Sequence, residues 1–233
     1  MQRWLKGDPP VAVILRRSAR ARRFSLRVSR LDARVTLSMP AHAPEADALA
    51  FAEGHRDWIR ATLAQASPRV LVGPGAQIPV EGRMLTLAEA AVRAPMVLGD
   101  RLLVPPGADR AALRAQAFLK LQARQRLQAA SDHYAGLVGR RHAGISLRDT
   151  RSRWGSCAPD GGLMYSWRLI MAPPDVLDYV AVHEVAHLVE MNHSAAFWSV
   201  VARLMPGYAA HRRWLKAEGN LLHGFDFAGL RSG

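Results

Sequence analysis

Val180-Ala-Val-His-Glu-Val-Ala-His-Leu-Val-Glu-Met-Asn-His193 is the segment around which the rest of this sequence can be organised. In an α-helix, side chains four residues apart lie one turn above each other, so His183 and His187 would point toward one place on the same face. Most other positions between 176 and 189 are apolar, which predicts a helix buried against its neighbours. Two imidazoles and a carboxylate buried there without partners would cost about 1–3 kcal/mol each. Because coordination of a cation removes that cost, the segment predicts a metal site.

A hydrolytic zinc site needs three protein ligands and one open position for water. His193, ten residues after His183, is the predicted third ligand, provided that the helix ends before this position. Asn192 tolerates left-handed geometry and would end the helix, and Ser194 would cap the next one. Glu218, in a later helix, is the alternative third ligand.

Glu184 directly follows His183, so its side chain cannot share the direction of that imidazole. This position suits a general base beside the metal better than a ligand. A zinc ion lowers the pKa of bound water toward about 7, Glu184 would accept the proton, and the resulting hydroxide would attack an electrophilic centre. The scheme does not distinguish carbon from phosphorus as the target. Glu190 is expected to face solvent or to support a ligand.

Composition limits the classes of protein to consider. The chain has 233 residues, of which 49% are hydrophobic and 22% charged, and this excludes intrinsic disorder and collagen-like repeats. Cys157 is the single cysteine, which excludes an internal disulfide and a thiolate-rich zinc site. The apolar run from Val11 to Leu15 is too short for a signal peptide or a membrane span. We therefore expect a soluble, cytoplasmic protein without a membrane partner.

Positive charge is concentrated near the N-terminus. The chain has 32 Lys and Arg against 19 Asp and Glu, a formal net charge of +13. Eight arginines lie between Arg16 and Arg34, where Asp32 is the only acid. This local field predicts non-specific contact with the phosphates of a nucleic acid, and a solvated basic face is the alternative. The pattern offers no outward aromatic residue for stacking on bases, because Phe24 belongs to the inner face.

Periodicity predicts an α+β fold with a β-rich half at residues 1–105, a helical half at 106–223 and a tail at 224–233. The first half is expected to contain a basic hairpin at 24–39 with its turn at 31–33, a helix at 44–66, and four strands between 78 and 104. The second half is expected to contain a long helix at 108–138, paired strands at 145–150 and 163–170, and helices at 174–191, 194–204 and 208–218.

Several motifs together resemble a known family. They are Thr150-Arg-Ser-Arg-Trp-Gly-Ser-Cys157, Trp167-Arg-Leu-Ile-Met-Ala-Pro-Pro174, Leu177-Asp-Tyr-Val180, the run from His183 to Trp198, Pro206-Gly-Tyr208 and Trp214-Leu-Lys216. In these segments the chain is similar to the YgjP-like metallopeptidase domain, a relative of the SprT-like proteins. The resemblance implies a zincin-like helical catalytic core with His183, His187 and His193 as zinc ligands and Glu184 as catalytic acid/base. Metzincins have glycine where this chain has Glu190, and no matching Met-turn is evident.

The resemblance leaves the substrate open between a peptide or protein and a nucleotide. In a zincin, Arg151 and Arg153 would border the cleft and could hold a peptide carboxylate or a phosphate chain; a salt bridge that fixes the loop is the alternative. Tyr208 could donate a hydrogen bond to a tetrahedral intermediate, with simple packing as the alternative. The predicted function is a zinc-dependent metallopeptidase. The alternatives are a metal-dependent pyrophosphohydrolase of nucleoside triphosphates such as UTP, and a nucleic-acid-associated protein with a structural zinc.

Overall fold

A computed structural model describes residues 1–29, 33–64 and 69–228. The chain is an α+β protein, as predicted, and forms two compact units, Met1–Arg69 and Val70–Gly233. The division therefore falls after Arg69, whereas the sequence pattern placed it near Pro105. The reason is that the apolar residues of the strands between 77 and 104 belong to the same core as the helix that carries His183.

The first unit contains one four-stranded sheet. Its strands are β1 (Gln2–Leu5), β2 (Val11–Ser18), β3 (Ser25–Val28) and β4 (Val35–Pro40), in the order β1-β2-β4-β3. Strands β3 and β4 form the predicted antiparallel hairpin, with Leu26 opposite Leu37. Residues 31 and 32 of the predicted turn lie outside the described residues. The run from Val11 to Leu15 is a buried part of β2, a strand that the sequence pattern did not predict.

Two helices cover one face of this sheet. The predicted helix at 44–66 is divided at His55 into α1 (Glu45–Gly54) and α2 (Arg56–Ala64), and its last two residues lie outside the described part of the chain. Ala48 and Ile59 on these helices belong to the same apolar cluster as Val13 and Leu37 on the sheet. The core of the first unit therefore lies between the helices and one face of the sheet.

The second unit begins with β5 (Val70–Leu71) and a four-stranded sheet. The predicted strands between 78 and 104 are confirmed as β6 (Gln77–Val80), β7 (Arg83–Glu89), β8 (Met96–Leu98) and β9 (Arg101–Val104), in the order β6-β7-β9-β8. The predicted long helix is α3 (Ala108–Leu137), and its buried alanines and leucines share a core with these strands.

A three-stranded sheet follows, and its topology differs from the sequence expectation. Its strands are β10 (Gly144–Arg148), β11 (Gly155–Cys157) and β12 (Gly162–Ser166), in the order β10-β12-β11. Strands β10 and β12 pair as predicted but run parallel, and β11 forms an antiparallel edge strand within the predicted loop. The predicted second strand ends at Ser166, because residues Trp167–Met171 form a buried 3₁₀ helix.

Three helices close the second unit. They are α4 (Pro174–Ala186), α5 (Ala195–Leu204) and α6 (Tyr208–Glu218), followed by a 3₁₀ helix at Gly219–His223 and by β13 (Phe225–Asp226), which pairs with β5. Helices α5 and α6 match the prediction, whereas α4 ends five residues before the predicted position 191. Within the described residues, no helix combines the length and apolar character needed to cross a membrane.

Candidate metal centre and cleft

The C-terminal end of α4 determines where the third histidine lies. Beyond Ala186, the Leu188 N–H donates to the Val185 carbonyl at 2.9 Å and the Val189 N–H donates to the Ala186 carbonyl at 3.0 Å. These i→i+3 bonds tighten and end the helix. The Nδ1 of His187 lies 3.0 Å from the Glu190 carbonyl, which draws the chain back toward the helix end.

Asn192 does not end the helix in left-handed geometry, in contrast to the prediction. The residues with positive φ other than glycine are Ala33 and Glu81 in the described part of the chain. The Asn192 Oδ1 instead accepts a hydrogen bond from the Ser194 N–H at 3.1 Å. Ser194 caps α5 as predicted, since its hydroxyl accepts from the Phe197 N–H at 3.3 Å. This pair of turns brings His193 back over α4.

The structure brings the three predicted histidines together. One ring nitrogen from each of His183, His187 and His193 lies within 4.8 Å of the others. The Nε2 atoms of His183 and His193 are 3.0 Å apart. Glu218, the alternative ligand in the sequence analysis, is exposed at the end of α6 and does not belong to this group. Of the two residues considered as a third ligand, His193 is therefore the one that lies beside His183 and His187.

The chemistry of the three imidazoles fits a divalent metal. Burial, together with smaller effects of the neighbouring His187 and His193, lowers the pKa of His183 to about 3. Burial also lowers the pKa of His187, so both rings are neutral and carry a lone pair near pH 7. The contact with Glu190 favours a proton on Nδ1 of His187, which leaves Nε2 as the donor atom. The Nδ1 of His183 is buried without a hydrogen-bond partner in the described residues.

Glu184 is buried beside the histidines, with 5% of its surface exposed. Burial raises the pKa of its carboxyl to about 8, and the positive charge of Arg153 opposes this shift. The carboxylate accepts no hydrogen bond from the residues that the structure describes. A carboxyl group in such an environment can exchange a proton near neutral pH, which is what a general base requires.

Gly155 on β11 packs directly against Glu184. A Cβ atom at position 155 would lie 2.5 Å from Oε1 and 2.6 Å from Cγ of Glu184. Any side chain larger than hydrogen would therefore displace the carboxylate. The sequence analysis did not identify Gly155 as a site residue. A glycine inside a short strand does indicate close approach of another group, and this is the signal that could have found it.

An open cleft of about 490 Å³ lies over the histidine cluster. Besides Glu184 and the three histidines, it is lined by Ser152, Arg153, Gly155, Ser156, Cys157 and Met191. Burial raises the pKa of the Cys157 thiol to about 11, so this thiol is protonated near pH 7 and is a poor nucleophile. The walls of the cleft thus come from α4, from the turn after it and from β11 with the loop before it.

The remaining predicted contact residues differ in their positions. Arg153 lines the cleft, whereas Arg151 is not among the residues that line it and its charge acts on the more distant His223. Tyr208 also lies outside the lining and stacks on Trp198, with ring centroids 5.5 Å apart, and on Tyr179, at 6.3 Å. The geometry thus favours packing for Tyr208 and keeps Arg153 as the candidate for substrate contact.

The buried side chain of Arg168 holds Asp149, at the start of the segment that leads into the cleft. Arg168 is 8% exposed and donates two hydrogen bonds to Asp149, at 2.7 and 3.2 Å. It also donates to the carbonyls of Leu222 and Phe225, at 2.9 and 3.0 Å. Its guanidinium lies 4.7 Å from the centroid of the Trp167 ring. Arg168 therefore links Asp149 to the C-terminal segment. This role was not found from the sequence.

Comparison with known proteins gives one family match. The family model described as YgjP-like, metallopeptidase domain matches residues 22–218. No curated protein matches the chain. Among solved structures, the crystal structure of the metallopeptidase zymogen of Pyrococcus abyssi abylysin aligns with 19% identity and a TM-score of 0.36, over 39% of this chain and 94% of that chain. The family match spans most of both units and includes Glu184 and the three histidines.

Proposed function

Because the chain belongs to the YgjP-like metallopeptidase domain family, we propose that it is a zinc-dependent peptidase in which Glu184 is the general base. The observation that carries this proposal is the convergence of three imidazoles next to a buried carboxylate, on the wall of an open cleft. His183, His187 and His193 would hold the metal, since three imidazole ligands suit zinc and leave a position for water. When bound, zinc supplies a Lewis acid that lowers the pKa of water and polarises a carbonyl group.

Glu184 would take the proton of the attacking water and deliver it to the leaving amine. Its low exposure and its lack of hydrogen bonds from the described residues support this role, because both keep the proton affinity of the carboxylate high. Gly155 keeps the carboxylate in one position, since there is no room for a side chain between them. Arg153 would bind a carbonyl or carboxylate of the substrate at the rim of the cleft.

The edge strand favours a peptide over a nucleotide as the substrate. Strand β11 lines the cleft, and β12 is its neighbour on one side only. An extended peptide can add to the free edge of such a strand through main-chain hydrogen bonds. A nucleoside triphosphate would instead need several cations, and Arg153 is the only arginine or lysine among the described residues that line the cleft.

The test uses the full chain with Glu184→Gln, and Glu218→Gln as the matched control on an exposed carboxylate. With zinc bound, the wild type should cleave an unstructured protein such as casein. Glu184→Gln should lose about 10²- to 10⁴-fold in rate and retain zinc by elemental analysis, because the base is lost and the ligands are not. Glu218→Gln should keep both. Full activity of Glu184→Gln would refute the proposed base.

The same proteins separate the alternatives. Release of pyrophosphate from UTP without cleavage of casein would show that the protein is a nucleotide hydrolase and not a peptidase. Zinc retained by the wild type without hydrolysis of either substrate would indicate a structural site. His193→Ala should lower the bound zinc, and an unchanged zinc content would remove His193 from the ligand set.

A further inference from the structure

The two faces of the sheet in the first unit differ in character. The inner face carries Val13 and Leu37, which are buried against α1 and α2. Because side chains alternate along a strand, Ile14 and Thr36 lie on the opposite face. In the described part of this unit the helices share a core with the inner face only. The outer face is therefore an uncovered sheet surface within the unit.

The outer face presents an aromatic ring, two cations and several hydroxyl groups. Trp4 on β1 is 62% exposed. In one row across the strands, Ser38 lies between Arg16 and Ser25. In the adjacent row, Thr36 lies between Ile14 and Arg27. The side chains of Arg16 and Arg27 are exposed and have no ion pair or hydrogen bond with any residue that the structure describes.

Charge is segregated between the two sides of this unit. Residues 1–69 include 13 Lys and Arg but only 6 Asp and Glu. Four of these acids lie on the helical side, in α1 and α2: Glu45, Asp47, Glu53 and Asp57. Arg3, on the inner face, is paired with Glu45, so it does not add to the free positive charge. The outer face has arginines and no acidic residue on the described parts of its strands.

We propose that the outer face of β1-β2-β4-β3 binds single-stranded nucleic acid, with phosphates on Arg16 and Arg27 and a base stacked on Trp4. Arginines on an exposed face bind phosphates without regard to sequence, and an exposed indole offers a stacking surface for an unpaired base. With strands about 4.8 Å apart, the face is roughly 14 Å wide, which is enough for a few nucleotides. Neighbouring serine and threonine hydroxyls can bind phosphate or sugar oxygens.

Trp4 on β1 supplies the aromatic ring that the basic hairpin lacks. The hairpin itself provides none, since Phe24 packs against the inner core. Trp4 reaches the outer face because β1 pairs with β2, with Trp4 opposite Ala12. A stacking ring and the arginines thus meet on one surface although they are distant in sequence.

The first test measures the anisotropy of fluorescently labelled single strands of about 20 nucleotides, as RNA and as DNA, at low salt. Trp4→Ala should weaken binding by about 5- to 100-fold, because one stacked base is lost. The matched control is Trp58→Ala, since Trp58 is 48% exposed on α2 at the helical side. Trp4→Phe should restore most of the affinity. Equal losses for Trp4→Ala and Trp58→Ala, or no binding by the wild type, would overturn the proposal.

The second test measures the dependence of binding on salt. The double variant Arg16→Gln with Arg27→Gln should reduce the slope of log K against log salt by about 1.4, because two phosphate contacts are lost. Arg56→Gln, on α2 beside Glu53, should leave the slope unchanged. An unchanged slope for the double variant would refute the assignment of the two arginines.

Two further controls separate this proposal from the others. Glu184→Gln should bind the strands as the wild type does, so that loss of hydrolysis and loss of nucleic-acid binding are independent outcomes. Co-sedimentation with phosphatidylserine vesicles, without binding of the oligonucleotides, would show that the partner of the outer face is a membrane surface and not a nucleic acid. A duplex that binds as tightly as the single strand, with no effect of Trp4→Ala, would exclude stacking.

Discussion

Two regions of the second unit each bury an ionisable side chain, Arg168 in one and Glu184 in the other, and only Arg168 has hydrogen-bond partners among the described residues. Arg168 is surrounded by partners: a carboxylate that accepts two hydrogen bonds, two backbone carbonyls and the face of Trp167. Glu184 is even less exposed, at 5% against 8%, but receives no hydrogen bond from the described residues. The partners of Arg168 compensate for its burial, whereas Glu184 has no such partner and its pKa is raised to about 8, as the proposed general base requires.

The two side chains are connected through the segment between Asp149 and Gly155. The partnered arginine holds the segment that leads to β11, and β11 in turn fixes Glu184 through Gly155. Four predictions test this relation, beginning with the largest expected effect.

Arg168→Met should lower the free energy of unfolding by about 3–5 kcal/mol, because it leaves the buried Leu222 carbonyl, the partly buried Phe225 carbonyl and Asp149 without their donor. The measurement is urea denaturation followed by circular dichroism. Arg213→Met, at an exposed position of α6, is the control and should change stability by less than about 0.5 kcal/mol. Equal effects of the two substitutions would show that the buried contacts of Arg168 do not contribute to the free energy of unfolding.

Removal of zinc by a chelator should lower the stability of the second unit by about 3–4 kcal/mol relative to protein at a free zinc concentration of 100 to 1,000 times Kd. The three imidazoles then lose the cation that holds α4 and the turn before α5 together. Differential scanning calorimetry measures the change. A melting temperature that is the same with and without chelator would contradict the metal site, and His193→Ala should abolish the difference.

Gly155→Ala should reduce kcat/KM by about 10- to 100-fold while zinc content stays unchanged, because the new methyl group displaces the Glu184 carboxylate from its position. Gly136→Ala, in α3 with no atom near the added methyl group, is the matched control. It should leave activity intact and stabilise the helix by about 0.5–1 kcal/mol. Wild-type activity in Gly155→Ala would show that the close contact does not position the base.

The smallest expected effect is the contribution of the Asp149–Arg168 ion pair to the free energy of unfolding, and this contribution depends on pH. Burial alone would raise the pKa of Asp149, but the hydrogen bonds and charge of Arg168, aided by His223, outweigh it and leave this pKa below its ordinary value. The ion pair therefore adds stability above pH about 4, and this stability is lost as the pH falls through the lower folded-state pKa. Because Asp149 is half exposed, the contribution should not exceed about 1 kcal/mol.

The check is the stability of wild type and Asp149→Asn between pH 6 and pH 2.5. The difference between the two proteins should be constant above pH about 5 and should shrink toward zero as Asp149 becomes protonated. A difference that grows at acid pH would have the wrong sign for this ion pair.

Local patterns were sufficient to predict much of this fold. The helical spacing of apolar residues identified α3, and the β-rich pattern punctuated by turns identified the strands of the β6–β9 sheet. The pair His183 and His187 follows from helical geometry alone. These features depend on residues near each other in sequence, so composition and period contain the needed information.

Long-range pairing was not predictable in the same way. The parallel arrangement of β10 and β12 and the edge position of β11 depend on contacts across the sheet, which periodicity does not report. The break at His55 and the early end of α4 arise from local hydrogen bonds that compete with the helix. Gly155 was missed because its role depends on Glu184, which lies in a different element, and Trp4 was missed because its place on the outer face depends on the pairing of β1 with β2.

The early end of α4 has a consequence for how an ion would come and go. Of the three imidazoles proposed as ligands, that of His183 lies on the buried helix α4 and that of His187 directly follows it, but His193 lies on an exposed turn between two helices. Opening of that turn alone would release one ligand and expose the ion to solvent, while the other two stay in place. The rate at which a bound metal ion exchanges should therefore depend on the opening of residues 187–194. A chelator would then extract the ion without global unfolding.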